Sequence, residues 1–420
     1  MKVFLLNRAA TLLLASVVLM SCSENEQRLV EKGFERAAQQ YELMYEATPL
    51  GMYPRTVNNS GETRLIGAEP LKSGANWTNG FYPGVLWMLY AHSGDVQWKA
   101  KAEKVTRALE VQKNQIYHHD IGFIIMASFG KAYEYCPSEY YKNVIVHAAG
   151  SQLSRFSEIT GTTKSWDQWT SRGGTYTTYY PVIIDNLMNL DLLFKAYELT
   201  GDEKFLKPAL SHADKTMANH IREDGSAYHL VAYNPETGEV DARKTSQGFS
   251  DSSAWSRGQA WAIYGFTMCY RFTKKPEYLE TAMKAADFFI NHKNLPEDSI
   301  PYWDFNIGEF TDYEWAYDPE RFEEEPRDAS AAAATASALL ELKNYVDDPA
   351  KAQQYRDAAV KILSSLASPA YMAERGENNY YLLMHSVASV PHNSSIDKPE
   401  TYADYYFLEA LMRWRNLNSR

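Results

Sequence analysis

Five short stretches of this chain share one punctuation: "HSGDVQW" (92–98), "YCPSEYY" (135–141), "LTGDEKF" (199–205), "FTKKPEY" (272–278) and "VDDPAKAQQY" (346–355). Each ends one apolar segment with turn residues and starts another that soon shows an aromatic. A unit that recurs in this way is a helix pair, and such pairs bury their apolar faces by stacking on one another. Between the turns, apolar residues recur at spacings of three and four, and strand-like alternation is scarce. The spacing predicts helices over 28–46, 80–92, 96–112, 120–135, 139–157, 183–199, 203–220, 254–272, 276–293, 329–345, 350–367 and 403–417.

In each pair the helix before the short turn is rich in Gly, Ala, Trp and apolar residues, as in "AWAIYGFTMCY" and "SAAAATASALLEL". The helix after it carries more Lys and Glu, so the first belongs inside and the second outside. If 28–46 pairs with 403–417, six pairs close a ring, and the fold class is all-α, an (α/α)6 barrel. An open helical solenoid builds on the same pairs and is the structural alternative.

When all inner helices run one way, their N-terminal ends and the long connections entering them gather at one mouth. Those connections hold the unusual residues: "GANWTNGFYPG", "IYHHDIGF", "TYTTYYPVIIDNL", "TSQGFSDSSAWSRGQAW", "EEEPRDASAA" and "PHNSSIDKPETYADYY". Helix N-termini at such a mouth also favour anions. Two connections are longer. Residues 227–247 alternate around Pro235 to Gly238 and read as a hairpin over the mouth. The aromatic-rich 298–326 reads as a lid or outer wall, with a solvated acidic run at Glu323 to Glu325.

The N-terminus has Lys2 and Arg8 ahead of an apolar run, Ala9 to Met20, too short to span a bilayer, which is the pattern of a secretion signal over residues 1–21. Leu19-Met20-Ser21-Cys22 resembles a bacterial lipobox, so Cys22 is expected to be lipidated, with 22–27 a short tether and 28–420 a single catalytic domain. The protein is then an exported lipoprotein, periplasmic or associated with the outer membrane or cell surface, held to the membrane through its N-terminal lipid. Removing Lys2 and Arg8 and no acid takes the formal net charge from -11 to -13, which excludes a nucleic-acid binder. Apart from Cys22 only Cys136 and Cys269 remain, each in a helix-like segment, so no disulfide framework carries the fold.

Asp120 and Asp185 occupy equivalent places, each opening an inner helix. Either can be a helix-start carboxylate that satisfies backbone N–H groups. Asp185, however, sits in "PVIIDNLMNL", where an apolar run surrounds an acid that needs a specific reason for burial. Burial and a second carboxylate both raise a carboxyl pKa, as a proton donor near neutral pH requires. Trp77, Phe81, Trp166, Trp169, Tyr176, Trp255 and Trp261 crowd the same mouth and suit the stacking of sugar rings. Arg257 and Trp261 share a helix face, and the guanidinium is either a bidentate grip on a carboxylate or half of a structural Arg–Asp pair. His118, His119 and Asp120 point in different directions, and no second His/Cys set recurs, so no metal site is expected. Without a Gly-rich phosphate loop or a Ser elbow, no cofactor is expected either.

Together "WTNGFYPGVLW", "HHDIGF", "IIDNLMNL", "SQGFSDSSAWSRGQAWAIYGF", "RDASAAAATASALLEL" and "ADYYFLEALMR" resemble the unsaturated glucuronyl hydrolases of glycoside hydrolase family 88, in order, from about residue 75 to the C-terminus. The resemblance implies an (α/α)6 barrel that removes a 4,5-unsaturated uronic acid from the non-reducing end of lyase-generated oligosaccharides. It implies hydration of a vinyl ether, so carboxylate-separation rules for ordinary glycosidases do not apply. Asp185 then carries the acid/base role, and Asp120 is the second essential aspartate that holds sugar hydroxyls. Trp77, His119, His229, Gln247, Trp255, Arg257 and Trp261 carry over as substrate-binding residues, while His118 stays a helix-start residue. Ser394 and Lys398 lie where the family handles the neighbouring sugar or its sulfate, without a clean family signature. Three alternatives remain: an unsaturated rhamnogalacturonyl hydrolase acting on pectin fragments, a non-catalytic glycan-binding lipoprotein, and a sugar epimerase on the same toroid. An epimerase would want catalytic histidines on inner helices, where only His119 qualifies.

Overall fold

The computed structural model describes residues 27–418, and the leader, Cys22 and the tether up to residue 26 lie outside the described residues. Twelve helices follow one another among the described residues. They are α1 (27–47), α2 (Phe81–Ser93), α3 (Val96–Ala108), α4, α5 (Glu139–Leu153), α6 (Asn186–Thr200), α7 (Glu203–His220), α8 (Ser256–Thr273), α9 (Pro276–Asn291), α10 (Ala329–Leu342), α11 (Pro349–Leu366) and α12 (Thr401–Asn418). Helix α4 runs through Ile121–Ile125, a π-helical turn at Met126–Gly130, and Lys131–Tyr135.

The recurring punctuation is cap chemistry. Gly94 and Gly201 end α2 and α6 in the left-handed region at φ 72 and 71, where the missing Cβ removes the steric cost. The following helices start on side-chain caps: Asp95 accepts from the Gln97 N–H, Ser138 from Tyr141, Asp202 from Lys204 and Asp348 from Ala350. Pro276 and Pro349 stand in the first turns of α9 and α11, where no intrahelical N–H is needed.

Inner helices α2, α4, α6, α8, α10 and α12 each touch the next, and α12 returns to α2, so the ring is closed and the fold is the (α/α)6 barrel. Every residue of α10 is buried. Outer helices bury only a stripe, such as Val30, Phe34, Ala37, Tyr41 and Met44 of α1. The inner helices are close-packed through small residues: a Cβ on Gly122 of α4 would stand 2.5 Å from the Asn189 Cα of α6. Below an aromatic layer, the opposite mouth leads into a cavity of about 1240 Å³ whose charges, Lys131, Asp191, Arg271, Glu341, Glu409 and Arg413, pair with one another.

Short antiparallel strands decorate the mouth: β1 (Met52–Val57) with β2 (Thr63–Gly67), β3 (Phe156–Ser157) with β4 (Thr162–Thr163), and β5 (Trp169–Thr170) with β6 (Thr177–Thr178). A three-stranded sheet has the order β7 (Pro181–Ile183), β8 (Leu230–Tyr233), β9 (Val240–Lys244). The expected hairpin over 227–247 is therefore β8–β9, extended by an edge strand whose Pro181 lacks a donor. That strand corrects the expected helix 183–199, which starts three residues later, and Asp185 sits where strand becomes helix. The last pair is β10 (Ser386–Ser389) with β11 (Ser394–Lys398). The 298–326 connection forms an outer wall, with Trp303, Tyr313, Trp315 and Tyr317 packing around Phe249, Val387 and Val390.

Candidate active site

Three inner helices begin on aspartates, and the three side chains do different work. Asp328 caps α10, accepting from the Ser330 and Ala331 N–H groups and from the Ser330 hydroxyl, and it pairs with Arg257 at 2.9 Å. Asp120 and Asp185 stand at the starts of α4 and α6 without capping them. Their carboxyls face the mouth instead, each residue 8 % exposed.

Two imidazoles hold Asp120: His119 Nε2 lies 3.0 Å from Oδ1, out of line for a hydrogen bond, and His118 Nδ1 lies 3.2 Å from Oδ2. Burial alone would raise this carboxyl, but the imidazoles outweigh it and hold the pKa well below the usual carboxylate range. His119 is oriented by the Ser165 carbonyl, which accepts from Nδ1 at 3.1 Å. His118 Nε2 donates to Asn76 Oδ1 at 3.2 Å, and Asn76 in turn donates to Gln112 at 3.0 Å. The pair therefore rests on the "GANW" loop on one side and Ser165 on the other.

Asp185 has the opposite balance. Burial pushes its pKa up to about 6; His119 pulls it down, the Asp120 charge adds to the rise, and Arg257 lowers it. Its Oδ2 is buried without a hydrogen-bond partner. Asp304 and Asp404 are also pushed up, to about 6 and about 7, but both accept backbone N–H groups. Glu400, raised to about 7 with both oxygens unpartnered, is fully buried. Asp185 is thus a raised, unpartnered carboxyl that also reaches the mouth.

His229, at the start of β8, stands 3.9 Å from Asp185 Oδ2 through Nε2. Its Nδ1 accepts the backbone N–H groups of Ser246 at 2.9 Å and Gln247 at 3.1 Å, so the proton sits on Nε2. Burial first, then Arg257, holds its pKa well below the ordinary value, and the ring is a neutral donor facing the site. Trp255 packs on it at 4.6 Å between ring centroids. Gln247 donates from its side chain to the Ala388 carbonyl at 2.9 Å, joining the β8–β9 hairpin to β10.

An aromatic floor closes the pocket beneath the carboxyls. Trp77 packs on Phe123 and Tyr402, and Trp261 on Phe123 and Tyr406, at centroid distances of 4.9–5.4 Å. Trp261 is fully buried, so it supports the floor from below, whereas Trp77 is half-buried and presents a face.

Of the two roles open to Arg257, the structure shows the Arg–Asp pair. Its terminal nitrogens bind Asp328 and the Val387 and Ala388 carbonyls, leaving a buried, unpartnered Nε as the remaining donor. Its charge still reaches Asp185. Ser394 and Lys398 lie half-buried on β11, and no hydrogen bond or ion pair joins them to the aspartates among the described residues. Among the described residues no group of three His, Cys, Asp or Glu side chains is placed to hold a metal ion.

The sequence profile that matches residues 51–410 is that of Glycosyl Hydrolase Family 88. The chain belongs to this family. It is 40% identical over 372 residues to an unsaturated glucuronyl hydrolase of Formosa agariphila, covering 87% of each chain. It is 36% identical to an unsaturated chondroitin disaccharide hydrolase of Streptococcus agalactiae, covering 80% of this chain and 81% of that one. The solved structure of an unsaturated glucuronyl hydrolase specific for heparin superposes with a TM-score of 0.84 at 38% identity, over 94% of this chain and 98% of that one. As a family 88 member the chain is a glycoside hydrolase.

Within this family 88 site, sequence reasoning missed three supporting residues. His118 is not a bland helix-start residue but half of the clamp on Asp120, and its signal was adjacency to His119. Asp328 takes the guanidinium of Arg257, as an acid at an inner-helix start could have suggested. Asn189 accepts from the Phe123 N–H at 2.8 Å and donates to the Asp185 carbonyl at 3.1 Å, which fixes the starts of α4 and α6 relative to one another.

Proposed function

We propose that this chain removes the 4,5-unsaturated uronic acid from the non-reducing end of lyase-generated oligosaccharides by hydrating the vinyl ether double bond. The observation that carries this reading is the contrast between the carboxyls: Asp185 is raised, unpartnered and at the mouth, while Asp120 beside it stays ionised. Protonated Asp185 delivers its proton to C4. The carboxylate so formed takes a proton from the water that adds at C5, which restores the acid. The resulting hemiketal opens and releases the remaining sugar. Asp120 holds sugar hydroxyls and, through its charge, keeps the proton on Asp185. The neutral Nε2–H of His229 and the Arg257 Nε are donors for the substrate's oxygen atoms, and Trp77 offers a ring face. The names and identities of the relatives support a uronyl substrate of glycosaminoglycan type.

Unsaturated disaccharides prepared by lyases from chondroitin, heparin, hyaluronan and pectin test the proposal. At least one should lose the ultraviolet absorbance of its conjugated double bond when the enzyme is added. If none does, the proposal fails; loss with the pectin fragment alone would move the substrate to the rhamnogalacturonyl class.

The leader residues support a further element of the proposal, membrane attachment through lipidated Cys22. Metabolic labelling with an alkyne fatty acid should mark the wild type and not Cys22→Ala.

A further inference from the structure

The inner helices end at the mouth opposite Asp120 and Asp185, and there they enclose the chamber of about 1240 Å³. Its wall carries a ring of alternating charge. Arg271 of α8 meets Asp191 of α6 at 3.1 Å and Glu341 of α10 at 3.0 Å. Arg413 of α12 meets Glu341 at 2.8 Å and Glu409 at 3.7 Å, and Lys131 of α4 meets Glu409 at 3.3 Å. Burial raises the Asp191 carboxyl while Arg271 and then Lys131 pull it down, so the charge of Lys131 acts across the one gap left in the ring. Three acids balance three cations. None of them takes part in the proposed hydrolysis.

The roof of the chamber is aromatic. Phe81 and Phe123 line it and also pack against Trp77 of the catalytic pocket, at 5.8 and 5.4 Å between ring centroids, so the two spaces share one aromatic partition. Tyr405 and Tyr406 line the chamber too, at 4 % and 3 % exposure, and neither hydroxyl has a hydrogen-bond partner among the described residues. Burial raises both phenols well above their usual range, so both remain donors. A buried hydroxyl without a partner is costly, and what fills the chamber must accept from these two. The π turn of α4, Met126–Gly130, lies on the same wall and ends at Lys131. Such turns occur frequently at functional sites.

The ring also selects the chemistry of an occupant. A charged molecule of either sign would give up its water and then meet its own sign at every second position. An anion is disfavoured further by the helix C-termini gathered at this mouth. A hydroxyl group both donates and accepts, so a polyol fits the alternation, while the aromatic roof suits the face of a sugar ring. The volume exceeds the range of about 300–1,000 Å³ common for small-molecule sites, which leaves room for one or two sugar units.

We propose that this chamber is a second carbohydrate site, which takes an uncharged mono- or disaccharide through the charge ring and the hydroxyls of Tyr405 and Tyr406. It is separate from the catalytic mouth and does not depend on the chemistry assigned to Asp185.

Calorimetry tests the site with N-acetylglucosamine, galactose and cellobiose as uncharged probes, and with glucuronate and glucosamine as charged ones, at about pH 6, where an amine is protonated. At least one uncharged sugar should bind saturably, and at least tenfold more tightly than either charged one. Crystals soaked in that sugar should show it against Tyr405 and the Arg271–Glu341 pair. Tyr405→Phe, which removes a hydroxyl that bonds to no protein group, should weaken it roughly threefold to tenfold, the usual worth of one hydrogen bond. Asp191→Asn keeps the side-chain shape and leaves the ring positive, so it should raise the affinity for glucuronate relative to the uncharged sugar. The proposal is overturned if no uncharged sugar binds, if a charged sugar binds the wild type as tightly, if Tyr405→Phe binds like the wild type, or if the soaked sugar lies only at the catalytic mouth.

Discussion

In the proposed mechanism Asp185 acts in its protonated form, and the burial that keeps the proton there costs the fold stability once the pH removes it. Below about pH 4 the folded and unfolded chains both carry this proton. Between there and about 6 the folded chain holds a proton that the unfolded chain has lost, and above about 6 the folded chain bears a buried charge. Stability from this group therefore falls as pH rises through that window. Asp185→Asn should lower kcat by roughly 10²–10⁴-fold, the usual worth of a positioned acid/base. The same variant should melt higher than wild type at pH 8, with the difference vanishing near pH 4, as calorimetric scans at the two pH values would show. A melting difference that does not depend on pH would mean that Asp185 is not raised. Asp120 gives a second prediction, because its charge is one of the causes that raise Asp185. Removing it in Asp120→Asn should shift the alkaline limb of the residual activity to lower pH; a limb that stays in place would decouple the two carboxyls.

At the scale of elements, the catalytic geometry depends on how closely α4 and α6 approach. Gly122 permits that contact, and Asn189 bridges it by hydrogen bonds to the backbone at both helix starts. Gly122→Ala puts a methyl group into backbone atoms that cannot yield as a side-chain tip would. It should cost on the order of 1–3 kcal/mol and reduce kcat in the molecules that remain folded, checked by denaturant unfolding and active-site-normalised rates. The elements themselves were legible because their boundaries are local chemistry: Gly94 with Asp95, Gly201 with Asp202, and Pro276 and Pro349 mark helix ends without reference to anything distant. Strand β7 was not legible, because "PVIID" is equally apolar as strand or helix, and pairing with β8 about fifty residues later decides it. The role of Arg257 was open for a similar reason. Two partners for a guanidinium were foreseeable, but the carbonyls of β10 that take it lie 130 residues away. Asp185 stood out because burying an acid among apolar residues needs a cause, and Asp120 through its equivalent place at the start of an inner helix. His118 was not, since its role appears only when Asn76 is brought beneath it.

The whole molecule is a ring whose closing element also lines the site. Helix α12 packs on α2, α10 and α1, and its Tyr402 and Tyr406 belong to the aromatic floor. Asp404, in its first turn, gathers three parts of the chain: it accepts from the Tyr41 hydroxyl of α1 at 2.9 Å and from the N–H groups of Leu382 and Leu383 at 2.9 and 2.8 Å. Asp404→Ala would leave those three donors buried without partners, a loss of roughly 3 kcal/mol or more. In a closed ring that loss cannot stay local, because freeing α12 uncovers the inner faces of both neighbours and the outer helix packed against it. The variant should therefore melt in one transition at lower temperature, with far-ultraviolet dichroism and activity disappearing together. An open stack of helix pairs would behave differently, since its terminal pair could fray while the rest stayed folded. A separate early transition confined to the terminal helices, with activity retained through it, would show that closure does not hold the catalytic mouth together.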